Sequence, residues 1–156
     1  MLAIDIPGRG QLQLDHLVLD VNGTLAVDGV LIDGVVAGLG RVKGTLDIHL
    51  LTADTHGRQA ELDRQLGLTA VHIPPGGEAE AKAAFVRDLG ADAVVAMGQG
   101  ANDAGMLREA AIGVAVMSTE GTSIEALTAA DLVVPDILLG LALIEHPMRL
   151  KASLRR

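Results

Sequence analysis

The chain has 156 residues, of which 49% are hydrophobic and only 1% aromatic, and its formal net charge is −8. This length predicts one domain spanning residues 1–156, with an aliphatic core. The acidic charge and the scarcity of aromatic rings argue against nucleic-acid binding, and a chain without cysteine forms no disulfide or thiolate metal site. The apolar run at 137–144 is too short to cross a membrane, and the N-terminus lacks the features of a secretory signal, so we expect a cytoplasmic protein without a membrane partner.

Short apolar strands and helices are predicted to alternate along the chain. Residues 16–20 (HLVLD) form the first predicted strand, and Asp28-Gly29 within 25–32 predicts a β-hairpin. Further strands are predicted at 46–52, 70–73, 92–98, 112–117 and 131–135. Helices are predicted at 35–42, 56–67, 77–90, 102–110, 121–130 and 136–146. This alternation predicts an α/β fold, a three-layer Rossmann-like parallel sheet with helices on both faces and a small β-hairpin flap.

Polar residues follow three of the predicted strands. Asp20 ends the first strand, Thr52 ends another, and the segment GQGAND at 98–103 follows a third, while Lys82 lies on the helix at 77–90. Ligands bind beyond the carboxyl ends of the strands in such sheets, so these residues are candidates for a shared site. Taken singly, each has an ordinary structural explanation as a strand end, a helix cap or a solvated lysine.

In this order, the segments resemble the motifs of the haloacid dehalogenase-like (HAD) phosphohydrolases. LDVNGTL at 19–25 is similar to the first motif of that family, and MGQGANDAGML at 97–107 to the last. The resemblance covers the chain from Asp20 to about Pro135. Within the superfamily, residues 20–24 are most similar to the soluble proteins related to the phosphorylation domain of P-type ATPases, where the residues between the aspartate and Gly-Thr are not acidic.

The resemblance implies a Mg²⁺-dependent phosphohydrolase in which the Asp20 carboxylate attacks phosphorus and forms an aspartyl phosphate. The implied catalytic residues are Asp20, Asn22, Thr52 and Lys82. The implied phosphate-binding residues are Asp20, Gly23, Thr52, Ala53 and Lys82. The implied Mg²⁺ ligands are Asp20, Asn22, Gln99 and Asp103. The substrate is then a small phosphorylated molecule.

Two residues depart from the family pattern. The phosphatases of the family have a second aspartate at the position of Asn22, and an amide cannot act as a general acid or base, whose loss typically slows a reaction by about a hundred- to ten-thousand-fold. Gln99 stands where the family usually has a metal-binding aspartate. Two functions therefore remain open, a slow phosphatase and a catalytically impaired module that binds phosphate or a partner. A dinucleotide-binding domain is excluded because no Gly-x-Gly-x-x-Gly follows the first strand.

The intervals between the motifs are too short for a cap domain, so the resemblance predicts an open site. We expect the hairpin at 25–32, together with a neighbouring subunit of a homo-oligomer, to form the entrance wall. His56 is a candidate for the site mouth, whereas Asp54 is expected to cap a helix and His49 to lie in the core or at its edge.

Overall fold

The computed structural model of the chain describes residues 1–54 and 56–156. The strands are β1 (Leu2–Ile6), β2 (Gly10–Leu14), β3 (His16–Asp20), β4 (Ala26–Val27), β5 (Val30–Leu31), β6 (Asp47–Thr52), β7 (Val71–His72), β8 (Val94–Gly98), β9 (Ile112–Val116) and β10 (Leu132–Val134). The helices are α1 (Val35–Val42), α2 (Gln59–Leu66), α3 (Glu78–Leu89), α4 (Ala104–Glu109), α5 (Ile124–Ala129), α6 (Ile137–Glu145) and α7 (Pro147–Leu154). Single turns of 3₁₀ helix at Ala91–Ala93 and Ala101–Asp103 precede β8 and α4.

Six strands form a parallel sheet in the order β10-β9-β8-β3-β6-β7, which confirms the predicted Rossmann-like α/β fold. The strand β3 is central, and its end is level with the ends of both neighbours. Asp20 is opposite Leu51 of β6, and Leu19 is opposite Met97 of β8. The carboxyl ends of three adjacent strands therefore bring the polar residues predicted from the sequence to one edge of the sheet.

The core is aliphatic and lies on both faces of this sheet. Successive side chains of a strand point to opposite faces, so Leu17 and Leu19 belong to one buried cluster and Val18 to the other. The helices α1 and α6 pack together on one face, and α3 packs against α4 on the other. This burial on both faces explains why β8 and β9 consist almost entirely of apolar residues and glycine.

The predicted hairpin is present as the short antiparallel pair β4–β5. Asp28 and Gly29 at its turn have φ angles of +51° and +75°. Two consecutive residues with positive φ are typical of the type I′ turn, whose twist matches that of the flanking strands. Between Asp20 and Thr52 the chain forms only this hairpin and α1, and the described residues between Thr52 and Lys82 form α2 and β7, so no cap domain is evident there.

Two elements at the ends of the chain were not predicted from the sequence. The strands β1 and β2 pair as a second antiparallel hairpin whose apolar residues alternate with polar ones, and Ile6 and Leu14 are fully buried. The helix α7 begins at Pro147 and packs against β1. The helix α2 begins at Gln59 and is three residues shorter at its start than predicted. Among the described residues, no helix has the length and apolar character needed to span a membrane.

Candidate active site at the carboxyl edge of the sheet

Asp20 is held by two hydrogen bonds at the end of the central strand. Its Oδ1 accepts a hydrogen bond from Lys82 Nζ at 2.7 Å, and its Oδ2 accepts one from Thr24 Oγ1 at 3.1 Å. The turn that follows β3 places Thr24 there, because the backbone N–H of Thr24 donates to the carbonyl of Val21. Asp20 is only 5% exposed, so its carboxylate has a defined orientation.

Lys82 joins Asp20 to Asp103 in a buried ion triad. Its Nζ lies 2.7 Å from Asp20 Oδ1 and 2.7 Å from Asp103 Oδ1, and the lysine is 1% exposed. A buried lysine needs such partners because removing an ammonium from water is costly. With both carboxylates ionised, the triad carries one net negative charge.

Burial and this charge shift the proton equilibria of the triad. Burial is the main cause that raises the pKa of Asp20 to about 7, and the nearby Asp103 raises it further, while Lys82 and Thr24 offset part of the effect. For Lys82, burial alone lowers the pKa, but the carboxylates of Asp20 and Asp103 raise it above its ordinary value. Lys82 therefore remains a cation at neutral pH.

Asp103 organises the loop that follows β8. Its Oδ2 accepts hydrogen bonds from the backbone N–H groups of Gln99 and Gly100, both at 2.9 Å. A Cβ atom on Gly98 would lie 2.6 Å from Asp103 Cγ, so only glycine leaves room for this side chain. The buried carboxylate thus links α3, through Lys82, to the end of β8.

Thr52 lies beneath the site, where its hydroxyl oxygen accepts two hydrogen bonds. They come from Asn22 Nδ2 at 3.1 Å and from the backbone N–H of Asp54 at 2.9 Å. Both lone pairs of the oxygen are then used, so its own hydrogen is available as a donor. Asp54 has the expected capping role, since its Oδ1 accepts the backbone N–H of Gln59, the first residue of α2.

A small cavity of about 220 Å³ opens at this edge of the sheet. Five of the site residues predicted from the sequence line it: Asp20, Asn22, Ala53, Lys82 and Gln99. His56, the candidate for the site mouth, lines it too. Asn102 and Glu120 also line it and were not predicted.

The other predicted site residues do not line this cavity. Thr52 and Asp103 are completely buried next to it and contact its lining residues. Gly23 lies at a turn where its own N–H donates to the carbonyl of Ala26 at 2.7 Å. His49 is remote from the site, because its Nε2 lies 3.2 Å from Nδ1 of His16, at the opposite end of β3.

The hairpin is joined to this site through Glu120, which lines the cavity and accepts a hydrogen bond from the backbone N–H of Asp28. Gly29 and Leu31 line a groove of about 740 Å³ together with residues of α2. Val30, the first residue of β5, is 61% exposed. That the hairpin and a neighbouring subunit form the entrance wall stays a prediction.

Oxygen atoms are the donors available for a metal ion at this site. The candidate donors are the carboxylate of Asp20, the backbone carbonyl of Asn22, the side-chain amide oxygen of Gln99 and the carboxylate of Asp103. The Asn22 carbonyl already accepts a hydrogen bond from Gln99 Nε2 at 3.4 Å. The Asp103 carboxylate already accepts hydrogen bonds from Lys82 and from two backbone N–H groups. Such hard oxygen donors fit Mg²⁺, which also retains several water ligands. Among residues 1–54 and 56–156, no three acidic or histidine side chains cluster closely enough to hold a metal by themselves, so carbonyl and amide oxygens would have to contribute.

No protein-family model matches the sequence, and no curated protein sequence matches it significantly. Several solved structures are nevertheless similar. A protein from Legionella pneumophila assigned to subfamily III A of the HAD superfamily hydrolases has a TM-score of 0.70 at 18% identity, over 90% of this chain and 87% of that one. The 3-deoxy-D-manno-octulosonate 8-phosphate phosphatase of Moraxella catarrhalis, in complex with magnesium, phosphate and KDO, has a TM-score of 0.64 at 16% identity, over 84% and 85% of the two chains.

A zinc-transporting PIB-type ATPase in its E2·Pi state is also similar, with a TM-score of 0.60 at 23% identity. The match covers 80% of this chain but only 20% of the ATPase. At these identities the similarity establishes the fold and not the activity. The chain has the fold of the HAD superfamily of hydrolases, which it shares with a domain of a P-type ATPase, and no cap domain is evident among its described residues.

Proposed function

We propose that the chain is a single-domain, divalent-cation-dependent phosphatase that hydrolyses small phosphomonoesters slowly through an aspartyl phosphate on Asp20. The observation that carries this proposal is the position of Asp20, which lines a polar cavity at the carboxyl edge of the sheet while Lys82 binds its carboxylate at 2.7 Å. A nucleophile for phosphorus needs this combination of a fixed orientation and a neighbouring cation, because the phosphate that it attacks is itself an anion.

The reaction has two displacements at phosphorus. An Asp20 carboxylate oxygen forms a bond to phosphorus, and the bond from phosphorus to the substrate oxygen breaks, leaving its electron pair on that oxygen, which takes a proton from water. A second water then attacks phosphorus, the bond to Asp20 breaks, and inorganic phosphate and the free carboxylate are released. The proton of the attacking water passes to solvent.

The neighbouring groups stabilise the negative charge of the transferred phosphoryl group. Lys82 supplies a positive charge next to the attacking oxygen, and the available hydrogen of the Thr52 hydroxyl can be donated to a phosphoryl oxygen. Ala53 lines the cavity at the end of β6, where its backbone can approach the same group. We assign Gly23 a role in the turn after β3, where the lack of a side chain leaves space at the carboxyl edge of the sheet.

A bound Mg²⁺ or similar cation would screen the charges of nucleophile and phosphate. Asp20, the Asn22 carbonyl, Gln99 and Asp103 are the residues proposed to hold it. The magnesium and phosphate reported with the phosphatase of Moraxella catarrhalis support a divalent cation and a phosphate as the groups bound by a site in this fold.

Asn22 is the reason to expect slow turnover. Its side chain lines the cavity, but an amide transfers no proton, so the leaving group and the attacking water must exchange protons with solvent. The second candidate function, a module that binds phosphate ligands or a partner without hydrolysis, is favoured by the same residue, because Asn22 Nδ2 is already hydrogen-bonded to Thr52.

Hydrolysis of p-nitrophenyl phosphate with saturating Mg²⁺ separates the two functions. We expect slow turnover by the wild type, none by Asp20→Asn, and an increase of about a hundred- to ten-thousand-fold in Asn22→Asp. Asp88→Asn, which changes an exposed aspartate on α3, is the matched control and should retain wild-type turnover. Absence of turnover in both the wild type and Asn22→Asp would favour the binding module.

A further inference from the structure

Glu120 lines the cavity of the candidate site and also binds the hairpin. It lies in the loop after β9, and its Oε1 accepts a hydrogen bond from the backbone N–H of Asp28 at 2.9 Å. The same loop is tied to the site a second time, because the N–H of Ser123 donates to the carbonyl of Gln99 at 2.8 Å. Glu120 is thus an exposed side chain whose position is fixed by its surroundings.

The second carboxylate oxygen of Glu120 lies above Gly23. A Cβ atom on Gly23 would be 2.7 Å from Glu120 Oε2 and 1.8 Å from Gln99 Nε2. The missing side chain at position 23 therefore leaves the space in which the carboxylate and the amide approach each other. Gln99 in turn lies 3.4 Å from the carbonyl of Asn22, so Glu120 reaches the side of the cavity that has the oxygen donors proposed for the cation.

Half of the negative charge of Asp20 and Asp103 is already compensated by Lys82 before any cation binds. Lys82 takes one oxygen of Asp20 and one of Asp103, and the other oxygen of Asp103 accepts two backbone N–H groups. Gln99 contributes an oxygen but no charge. A divalent cation at this position would therefore meet less negative charge than its own two positive charges, and Glu120 is a further acidic residue that lines the cavity.

We propose that Glu120 supplies this charge, binding water molecules of the cation's coordination shell and compensating for the neutral Gln99. Mg²⁺ keeps several water ligands in proteins, and carboxylates that bind such waters contribute strongly to affinity. The inference rests on the proposed function in one respect, that the site binds a divalent cation. Gly23 then has a second role, since any larger residue would displace both Glu120 and Gln99.

Calorimetric titration of the full chain with MgCl₂ tests this role without any measurement of activity. Glu120→Gln keeps the acceptor for the Asp28 N–H and removes only the charge, and we expect it to weaken Mg²⁺ binding by about ten- to a hundred-fold. Glu125→Gln removes the charge of an exposed glutamate five residues away, at the start of α5, and should bind like the wild type.

A rescue variant distinguishes a role in charge from a structural role. Adding Gln99→Asp to Glu120→Gln returns one carboxylate to the cavity, and we expect this double variant to recover wild-type affinity. Equal affinities of Glu120→Gln and the wild type would overturn the inference and leave the proposed phosphatase intact. A wild type that binds no Mg²⁺ would overturn both the inference and the metal dependence of the proposed function. Weakened Mg²⁺ binding in Glu120→Gln, together with no hydrolysis by any variant, would support the inference and contradict the proposed phosphatase activity.

Discussion

Replacing Lys82 by methionine removes the only cation of the buried triad and keeps most of its apolar volume. The side chain is 1% exposed, and its Nζ makes two hydrogen bonds of 2.7 Å, to carboxylates of Asp20 and Asp103. In Lys82→Met these two carboxylates face each other without a counter-charge. The substitution therefore tests whether the site depends on the triad for its stability.

The expected loss follows from this burial. Removing one partner of a buried ion pair typically lowers the free energy of unfolding by about 3–5 kcal/mol, because the remaining charge is left uncompensated. The loss depends on pH, since the pKa of Asp20 is already about 7 and rises further without Lys82. A protonated Asp20 no longer repels Asp103, so the loss is greatest above neutral pH and smaller in acid.

Urea unfolding followed by circular dichroism, with EDTA present to remove metals, measures this difference at about pH 8 and about pH 6. Lys43→Met is the matched control, because Lys43 is exposed beyond the end of α1, and its change should stay within about 0.5 kcal/mol. A loss in Lys82→Met no larger than that of the control, or one that is equal at both pH values, would refute the role assigned to the triad.

Two further changes test the same site. In EDTA, the raised pKa of Asp20 stabilises the fold in acid, and that contribution is lost as the pH rises from about 4 to about 7. Urea unfolding should therefore show Asp20→Asn gaining stability relative to the wild type by about 1.4 kcal/mol for each pH unit between about pH 5 and pH 7, with little further change above that; a constant difference would contradict the raised pKa. Gly98→Ala should lower the free energy of unfolding by about 1–3 kcal/mol, because the added methyl group would collide with the Asp103 side chain. Gly40→Ala, on the exposed side of α1, is the control and should not lower that free energy. Equal thermal stabilities of the two variants would contradict this packing.

The arrangement of the sheet could be predicted from the sequence because periodicity and turn residues act locally. The helix at 35–42 has the predicted bounds, and the Asp28-Gly29 turn has the positive φ angles that the dipeptide favours. The topology of a parallel sheet then brings Asp20 close to the end of β6 without any knowledge of side-chain contacts. The first hairpin was missed although its residues alternate between apolar and polar in both strands.

The finer geometry depends on loops whose paths no local pattern specifies. Glu120 has no motif around it, and it reaches the cavity only because the loop after β9 crosses towards the hairpin. Thr24 belongs to a recognisable segment, yet its bond to Asp20 follows from the turn formed there. Asp103 was expected among the metal ligands, and the structure adds its bonds to Lys82 and to the loop at 99–100.

The central claim is that Asp20 becomes phosphorylated, and intact-mass spectrometry tests it most directly. The chain is incubated with acetyl phosphate and Mg²⁺, quenched in acid and analysed before and after treatment with hydroxylamine, which cleaves acyl phosphates. We predict one added phosphoryl group in the wild type, its removal by hydroxylamine and its absence in Asp20→Asn. No added group in the wild type, or one that persists in Asp20→Asn, would contradict the assignment of Asp20 as the nucleophile.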